Sequence, residues 1–184
     1  EADNAEVDDD IELNPEDELA TQVRGSYFYK QSQVSVKYLR KLMGAKLFDN
    51  PKDHEEIKKL ISYVIGSDSD EVVLDFFGGS GTTAEAVLQL NKEQQSGHRF
   101  IVVQLPEPCN PKEKSGKAAL AAGLNTIADI TKERVRRAIK KLNDEDEAAA
   151  KIPAQLALSP DPSPASGQGE NTDRGFRVFK LAES

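Results

Sequence analysis

The chain has 184 residues, 38% of them hydrophobic, which suits one domain with tails. A single cysteine and two histidines exclude a disulfide framework and a zinc cluster, and no run approaches the roughly 20 apolar residues of a membrane span. The net charge of −8 does not exclude a nucleic-acid partner, because residues 1–20 hold ten acids and no base, which leaves 24 − 22 = +2 for the remainder.

In chain order, residues 1–20 read as an acidic, peripheral tail. Gly25 to Gly44 begins with Tyr27, Phe28 and Tyr29, a short strand or loop. A helix follows, with Val34, Val36, Leu39, Leu42 and Met43 packed on the core. Next, Leu47 to Lys52 lead into a second helix. Asn50 is its expected N-cap, with Pro51 at the first helical position and Asp53 in the first turn. Ile57, Leu60, Ile61 and Val64 give it one buried face, and Gly66 is expected to end it. Val72, Val73 and Leu74 form a short buried strand that ends at Asp75. Three glycines, Gly78, Gly79 and Gly81, follow within four positions, and an amphipathic helix starts at Thr82 and runs through Ala84, Val87, Leu88 and Leu90.

Phe100 to Leu105 read as a second, parallel strand, and Pro106 to Gly123 as a loop with a short helical piece. Leu124 to Asn143 form a helix whose apolar side carries Ile127, Ile130, Val135, Ala138 and Leu142, with Ile139 beside them. Arg134 falls on that side too, as a structural arginine. Thr126 and Asp129 have the spacing of an N-terminal cap pair. Lys132, Arg136, Arg137, Lys140 and Lys141 make the other side basic, either a solvated face or a DNA-facing one. Ala148 to Gly169 are rich in Ala, Pro, Ser and Gly, a linker composition. Gly175 to Leu181 alternate as a final strand. His54 and His98, at the starts of a helix and a strand, read as structural.

Strand, glycine turn and helix bring backbone close to a bound nucleotide. Three ligands fit that arrangement to different degrees. A P-loop needs a lysine, and none occurs between Lys59 and Lys92. A dinucleotide site matches Gly79-Ser80-Gly81-Thr82-Thr83-Ala84, but the acid expected at the end of the second strand is replaced by Gln104, with Glu107 just beyond. The third ligand is S-adenosylmethionine, whose ammonium a carboxylate at Asp75 would meet.

Asp75-Phe76-Phe77-Gly78-Gly79-Ser80-Gly81-Thr82-Thr83 resembles the cofactor motif of amino-methylating DNA methyltransferases. Phe48-Asp49-Asn50-Pro51-Lys52 before a helix resembles their second cofactor-binding element, with Asp53 where that family usually has a proline. Gln104 stands where related enzymes often carry a Glu for the ribose hydroxyls. Thr131-Lys-Glu-Arg-Val-Arg-Arg-Ala138 and Arg174-Gly-Phe-Arg-Val-Phe-Lys-Leu181, in that order, look like the end of modification (Mod) subunits of bacterial Type III restriction–modification systems.

The resemblance implies an α/β fold, a partial Rossmann-like methyltransferase sheet of order 3-2-1 with flanking helices. Its strands would be Gly175–Leu181, Phe100–Leu105 and Val72–Asp75. Residues 21–147 would be the S-adenosylmethionine-binding core, 148–172 a linker and 173–184 the last strand. The implied cofactor residues are Phe48, Asp49, Asn50, Lys52, Asp75, Phe76, Phe77, Gly78, Gly79, Ser80, Gly81, Thr82, Thr83 and Gln104.

The family's catalytic motif is Asp/Asn/Ser-Pro-Pro-aromatic, and this sequence has no Pro-Pro dipeptide. No catalytic or metal-ligating residue is therefore assigned. The chain is expected to be the cofactor half of a cytoplasmic adenine-N6 DNA methyltransferase, inactive without the half that holds the target base. Its expected partners are that half, DNA through the complete enzyme, and a restriction (Res) subunit. A strand 1 left without its neighbour predicts self-association. The competing readings are a non-enzymatic module that docks the restriction subunit, and an NAD-type dinucleotide domain.

Overall fold

The computed structural model describes residues 32–66, 70–150 and 174–180. The acidic tail, Tyr27 to Tyr29, most of the linker and Leu181 lie outside them. The elements are α1 (Ser32–Met43), α2 (His54–Ser62), β1 (Val72–Asp75), α3 (Thr82–Gln94), β2 (Arg99–Val102), α4 (Lys114–Ala121) and α5 (Ile127–Ala150).

The architecture is α/β. β1 and β2 pair in parallel, Val72 opposite Arg99 through Asp75 opposite Val102, and α3 makes the crossover between them. Parallel neighbours need such a crossover because their ends lie at opposite edges of the sheet. Strand alternation sends Val73, Asp75, Phe100 and Val102 to one face and Val72, Leu74, Arg99 and Ile101 to the other. On the first face, Phe100 and Val102 pack on Ala84 and Leu88 of α3 and on Val135, Ala138 and Leu142 of α5. A second cluster joins Leu39 and Met43 of α1, Leu47, Cys109, Ala119 of α4 and Ile130 of α5. Among the described residues nothing covers the opposite face of the sheet, where Val72, Leu74 and Ile101 are exposed.

The apolar stripe read on α5 is the buried one, and its cap forms as the spacing predicts. The Thr126 hydroxyl accepts from the Asp129 amide at 3.1 Å, while Asp129 accepts from the Thr126 amide at 3.0 Å. Several expectations are corrected. The face of α2 expected to be buried is not, since Leu60 and Val64 are exposed, and β1 is half exposed rather than buried. The second helix is capped by Asp53 rather than Asn50, and ends at Ser62 rather than Gly66. Asp53 Oδ1 accepts from the amides of Glu55 and Glu56, and Ser35 of α1 donates to its other oxygen, so tertiary contact favours the later cap. β2 stops at Val102, short of Leu105.

The largest correction concerns Gly175 to Lys180, which form no strand. The sheet of the described residues has two strands, and the 3-2-1 order is not built. Arg174 is tied to Asn143 and Asp146 of α5, and Phe176 packs on the α3–α5 cluster under the Arg136 guanidinium. The segment is thereby held on the helix and not laid along β2.

Candidate functional site

The site begins where β1 stops. The Asp75 carboxylate folds over the turn that follows, accepting from the Phe77 amide at 2.9 Å and from the Thr83 hydroxyl at 2.6 Å. The glycine turn is fastened to the end of β2. Gly78 N–H donates to the Val103 carbonyl at 3.0 Å, and Gly79 N–H to the Gln104 side-chain oxygen at 2.7 Å. Gly81 N–H closes the turn on the Gly78 carbonyl at 2.7 Å.

Two of the glycines are required by space and angle. A Cβ on Gly78 would lie 2.2 Å from Val102 Cγ1. Gly81, the N-cap of α3, has φ +80°, and a Cβ there would lie 3.1 Å from the Thr131 carbonyl of α5. The turn therefore sits between the sheet and α5 with no room for side chains at these positions.

α5 grips the turn from below. The Thr131 hydroxyl donates to the Gly79 carbonyl at 2.6 Å. Arg134, only 1% exposed, donates from Nη1 to the Ser80 hydroxyl at 2.9 Å and to the Thr82 hydroxyl at 2.7 Å. Its Nε donates to Glu85 of α3 at 2.6 Å. The other Glu85 oxygen accepts from the Tyr38 hydroxyl of α1. Burial, and then the Glu85 charge, hold the Tyr38 hydroxyl far above its ordinary titration range, so it stays a donor. His54 stacks on the Tyr38 ring at 4.0 Å between centroids, and burial pushes its pKa down.

The 48–52 segment arrives beside this turn. The Phe48 ring lies 3.8 Å from where a Cβ on Gly79 would be, and the Lys52 carbonyl is 3.4 Å from the Thr82 hydroxyl. Asp49 is engaged elsewhere. Lys46, 2.7 Å away, and Ser115 of α4 both bond its carboxylate and hold its pKa below the usual range. Asn50 and Lys52 are exposed, as are Phe76 and Phe77, and Phe77 is 90% so. Of the residues singled out in the sequence, Asp75 to Thr83 form the turn, Gln104 fastens it, Phe48 and the Lys52 backbone lie beside it, and Asp49 is bonded away from it to Lys46 and Ser115. Among them Ser80 and Thr82 are buried side chains that bond Arg134, and the Gln104 oxygen supports the turn.

Sequence reasoning missed Glu85, Tyr38 and Thr131. The signal for Glu85 was present: it lies within the buried run of α3, as Arg134 lies on the apolar stripe of α5. Two opposite charges on apolar faces are a pairing signature. Among the described residues no cluster of His, Cys, Asp and Glu could hold a metal ion.

Comparison with known proteins supplies the remaining observations. The N6/N4-type DNA methylase family profile matches residues 4–141. The chain is 37% identical over 165 residues to the Type III restriction-modification enzyme EcoPI Mod subunit of Escherichia phage P1, covering 88% of this chain and 25% of that protein. It is 47% identical over 98 residues to the EcoP15I Mod subunit of Escherichia coli, covering 53% of this chain and 14% of that one. It is 38% identical over 141 residues to the StyLTI Mod subunit of Salmonella typhimurium, covering 77% of this chain and 18% of that one. The chain therefore spans a quarter or less of these three relatives.

Proposed function

This chain belongs to the DNA methylase family, and we propose that it is the part of a Type III-like adenine-N6 DNA methyltransferase that holds S-adenosylmethionine. The observation that carries this reading is the glycine turn at the carboxyl ends of two parallel strands, the crevice where open α/β sheets bind ligands. The residues suit the cofactor. Asp75 offers a carboxylate, with lone pairs left beyond its two bonds to the turn, for the methionine ammonium. Phe48 and the exposed Phe77 offer apolar surface beside the turn. Gln104 lies two residues beyond β2, its oxygen holding the Gly79 amide and its amide donating to the Leu105 carbonyl, and a remaining lone pair on its oxygen would be open to a ribose hydroxyl.

The cofactor supplies an activated methyl group when bound. The protein's work is to align it with the target amine, and positioning of that kind carries much of a transfer rate. This chain fixes one of the two reactants. With no Pro-Pro dipeptide it lacks the family's motif for the flipped base, so the base-holding half must come from elsewhere in the enzyme. Among the described residues the sheet face and the β1 edge are uncovered, which supports a covering segment of that kind. DNA and a restriction subunit would be met through the completed enzyme, in a cytoplasm that suits the buried Cys109 thiol.

Calorimetric titration with S-adenosylmethionine tests the reading, with NAD as the comparison ligand. S-adenosylmethionine should bind and NAD should not. Gly81→Val, which puts a β-branched side chain at φ +80°, should abolish binding while circular dichroism retains the helices. Binding of NAD in preference, or equal S-adenosylmethionine affinity in Gly81→Val, would overturn it. Retained docking of a restriction subunit without cofactor binding would favour the non-enzymatic module.

A further inference from the structure

We propose that Arg134 is a positioning residue for the cofactor site: through Ser80 and Thr82 it sets the shape of the glycine turn, and Glu85 and Tyr38 hold it in place. The inference deepens the cofactor-binding reading above and rests on it.

The geometry separates this role from ordinary core packing. An arginine that served only to join α5 to α3 would need its bond to Glu85 and nothing more. Arg134 uses two different nitrogens, one toward Glu85 inside α3 and one toward Ser80 of the turn and Thr82 at the start of α3. Nε meets Glu85 on α3 at 2.6 Å. Nη1 meets the Ser80 hydroxyl at 2.9 Å, the Thr82 hydroxyl at 2.7 Å and the Ser80 carbonyl at 3.4 Å. Ser80 lies between Gly79 and Gly81, and Thr82 is the first residue of α3. The guanidinium therefore grips the segment that forms the glycine turn and opens α3.

Rigidity comes from the second layer. Both Arg134 and Glu85 side chains are 1% exposed, so water does not compete for them. Glu85 is bonded on both oxygens, by Arg134 on one and by Tyr38 and Gln89 on the other. Tyr38 also accepts from Lys141 of α5 at 3.3 Å and stacks on His54 of α2. The chain of contacts links α1, α2, α3 and α5 to one turn. The Thr131 hydroxyl on the Gly79 carbonyl, one helical turn before Arg134, holds the same segment at a second point. A planar guanidinium can serve Glu85 and the two hydroxyls at once. A lysine ammonium is a single point of charge and cannot span both.

The test compares Arg134→Lys with Leu142→Ala, a cavity variant two turns along the same helix, buried but remote from the turn. Both are made in the full chain and both lower Tm. Arg134→Lys should weaken S-adenosylmethionine about ten- to a hundredfold, the loss expected for hydrogen bonds to a charged group. Leu142→Ala should leave the affinity within about twofold of the parent. Hydrogen exchange of the peptide spanning Gly78 to Thr83 should accelerate in Arg134→Lys alone, with β1 and β2 protected as before. Parent-like affinity and exchange in Arg134→Lys would overturn the positioning role. So would equal loss of affinity in the two variants, since that reports stability only. A parent chain that binds no S-adenosylmethionine would instead overturn the cofactor reading, and this inference with it.

Discussion

Gly78 offers a sharp test of how the turn meets the sheet. A Cβ there would lie 2.2 Å from Val102 Cγ1, roughly 1.3 Å inside an ordinary carbon–carbon contact of about 3.5 Å. Gly78→Ala leaves two ways out. Val102 can leave its preferred rotamer, which is stiff because the side chain is β-branched and costs about 1 kcal/mol. Or the turn can lift from β2, stretching the bonds from Gly78 N–H to Val103 and from Gly79 N–H to Gln104, each worth about 1 kcal/mol. The expected destabilisation is about 2 kcal/mol, within the usual cost of overpacking. Val102→Ala alone removes two methyl groups from the α3–α5 cluster and costs about 1.5 kcal/mol. Together the two changes remove the clash, so the double variant should fall about 1.5 kcal/mol or more short of the sum. Urea unfolding followed by circular dichroism measures all four corners of the cycle. Additivity within about 0.5 kcal/mol would refute the claim that Val102 is what forbids a side chain at Gly78.

Other consequences follow from single contacts. Asp129, bonded by Lys132 and then by Thr126, titrates at about 2 instead of 3.8. Its stabilising contribution is complete above 3.8 and lost as pH falls through about 2. Asp129→Asn should cost about 1 kcal/mol at neutral pH and flatten that acid limb in pH-dependent unfolding; an unchanged limb would exclude the cap as its source. His54 has its pKa lowered from 6.5, chiefly by burial, so the unfolded chain takes up a proton that the folded chain refuses. Stability should be full above pH 6.5 and decline as pH falls toward the folded value, and His54→Gln should remove that part of the slope. The bare face of the sheet should drive self-association of the chain. Leu74→Lys with Ile101→Lys should shift sedimentation toward the monomer, and a parent chain already monomeric at high concentration would refute it.

What the sequence made legible is what local chemistry decides. The turn could be read because three glycines next to an Asp and two threonines have few other uses. The α5 cap could be read because Thr126 and Asp129 satisfy each other across three residues. The start of α2 could not be settled this way. Asn50 and Asp53 are both good caps, and Ser35, a residue of another helix, bonds the carboxylate that serves. The alternation of Gly175 to Leu181 indicates two apolar faces but not a neighbour. Pairing is a non-local choice, and here Arg174 binds α5 instead. Arg134 was legible as an arginine in an apolar stripe, and Glu85 as an acid in the buried run of α3; that the two faces meet was not, because periodicity finds faces and does not say which of them pack together.

The rim of the turn raises a last question: whether covering the sheet also completes the cofactor site. Phe76 and Phe77 leave β1 exposed at 64% and 90%, and Leu105, next to Gln104, is exposed at 67%. These side chains stand at the carboxyl ends of both strands, directly beside the turn. A segment that covered Val72, Leu74 and Ile101 would extend naturally over them. Burying a phenylalanine removes on the order of 150 Å² or more from water, enough to order a short loop. Binding and covering would then favour the same arrangement of the turn, and each would strengthen the other. A longer polypeptide that supplies the covering half should hold S-adenosylmethionine more tightly than this chain. Leu105→Ser, a change outside the cofactor residues, should erase part of that gain while leaving the affinity of this chain nearly unchanged. Equal affinity in the long and short forms would refute the coupling and leave the sheet face as an assembly surface alone.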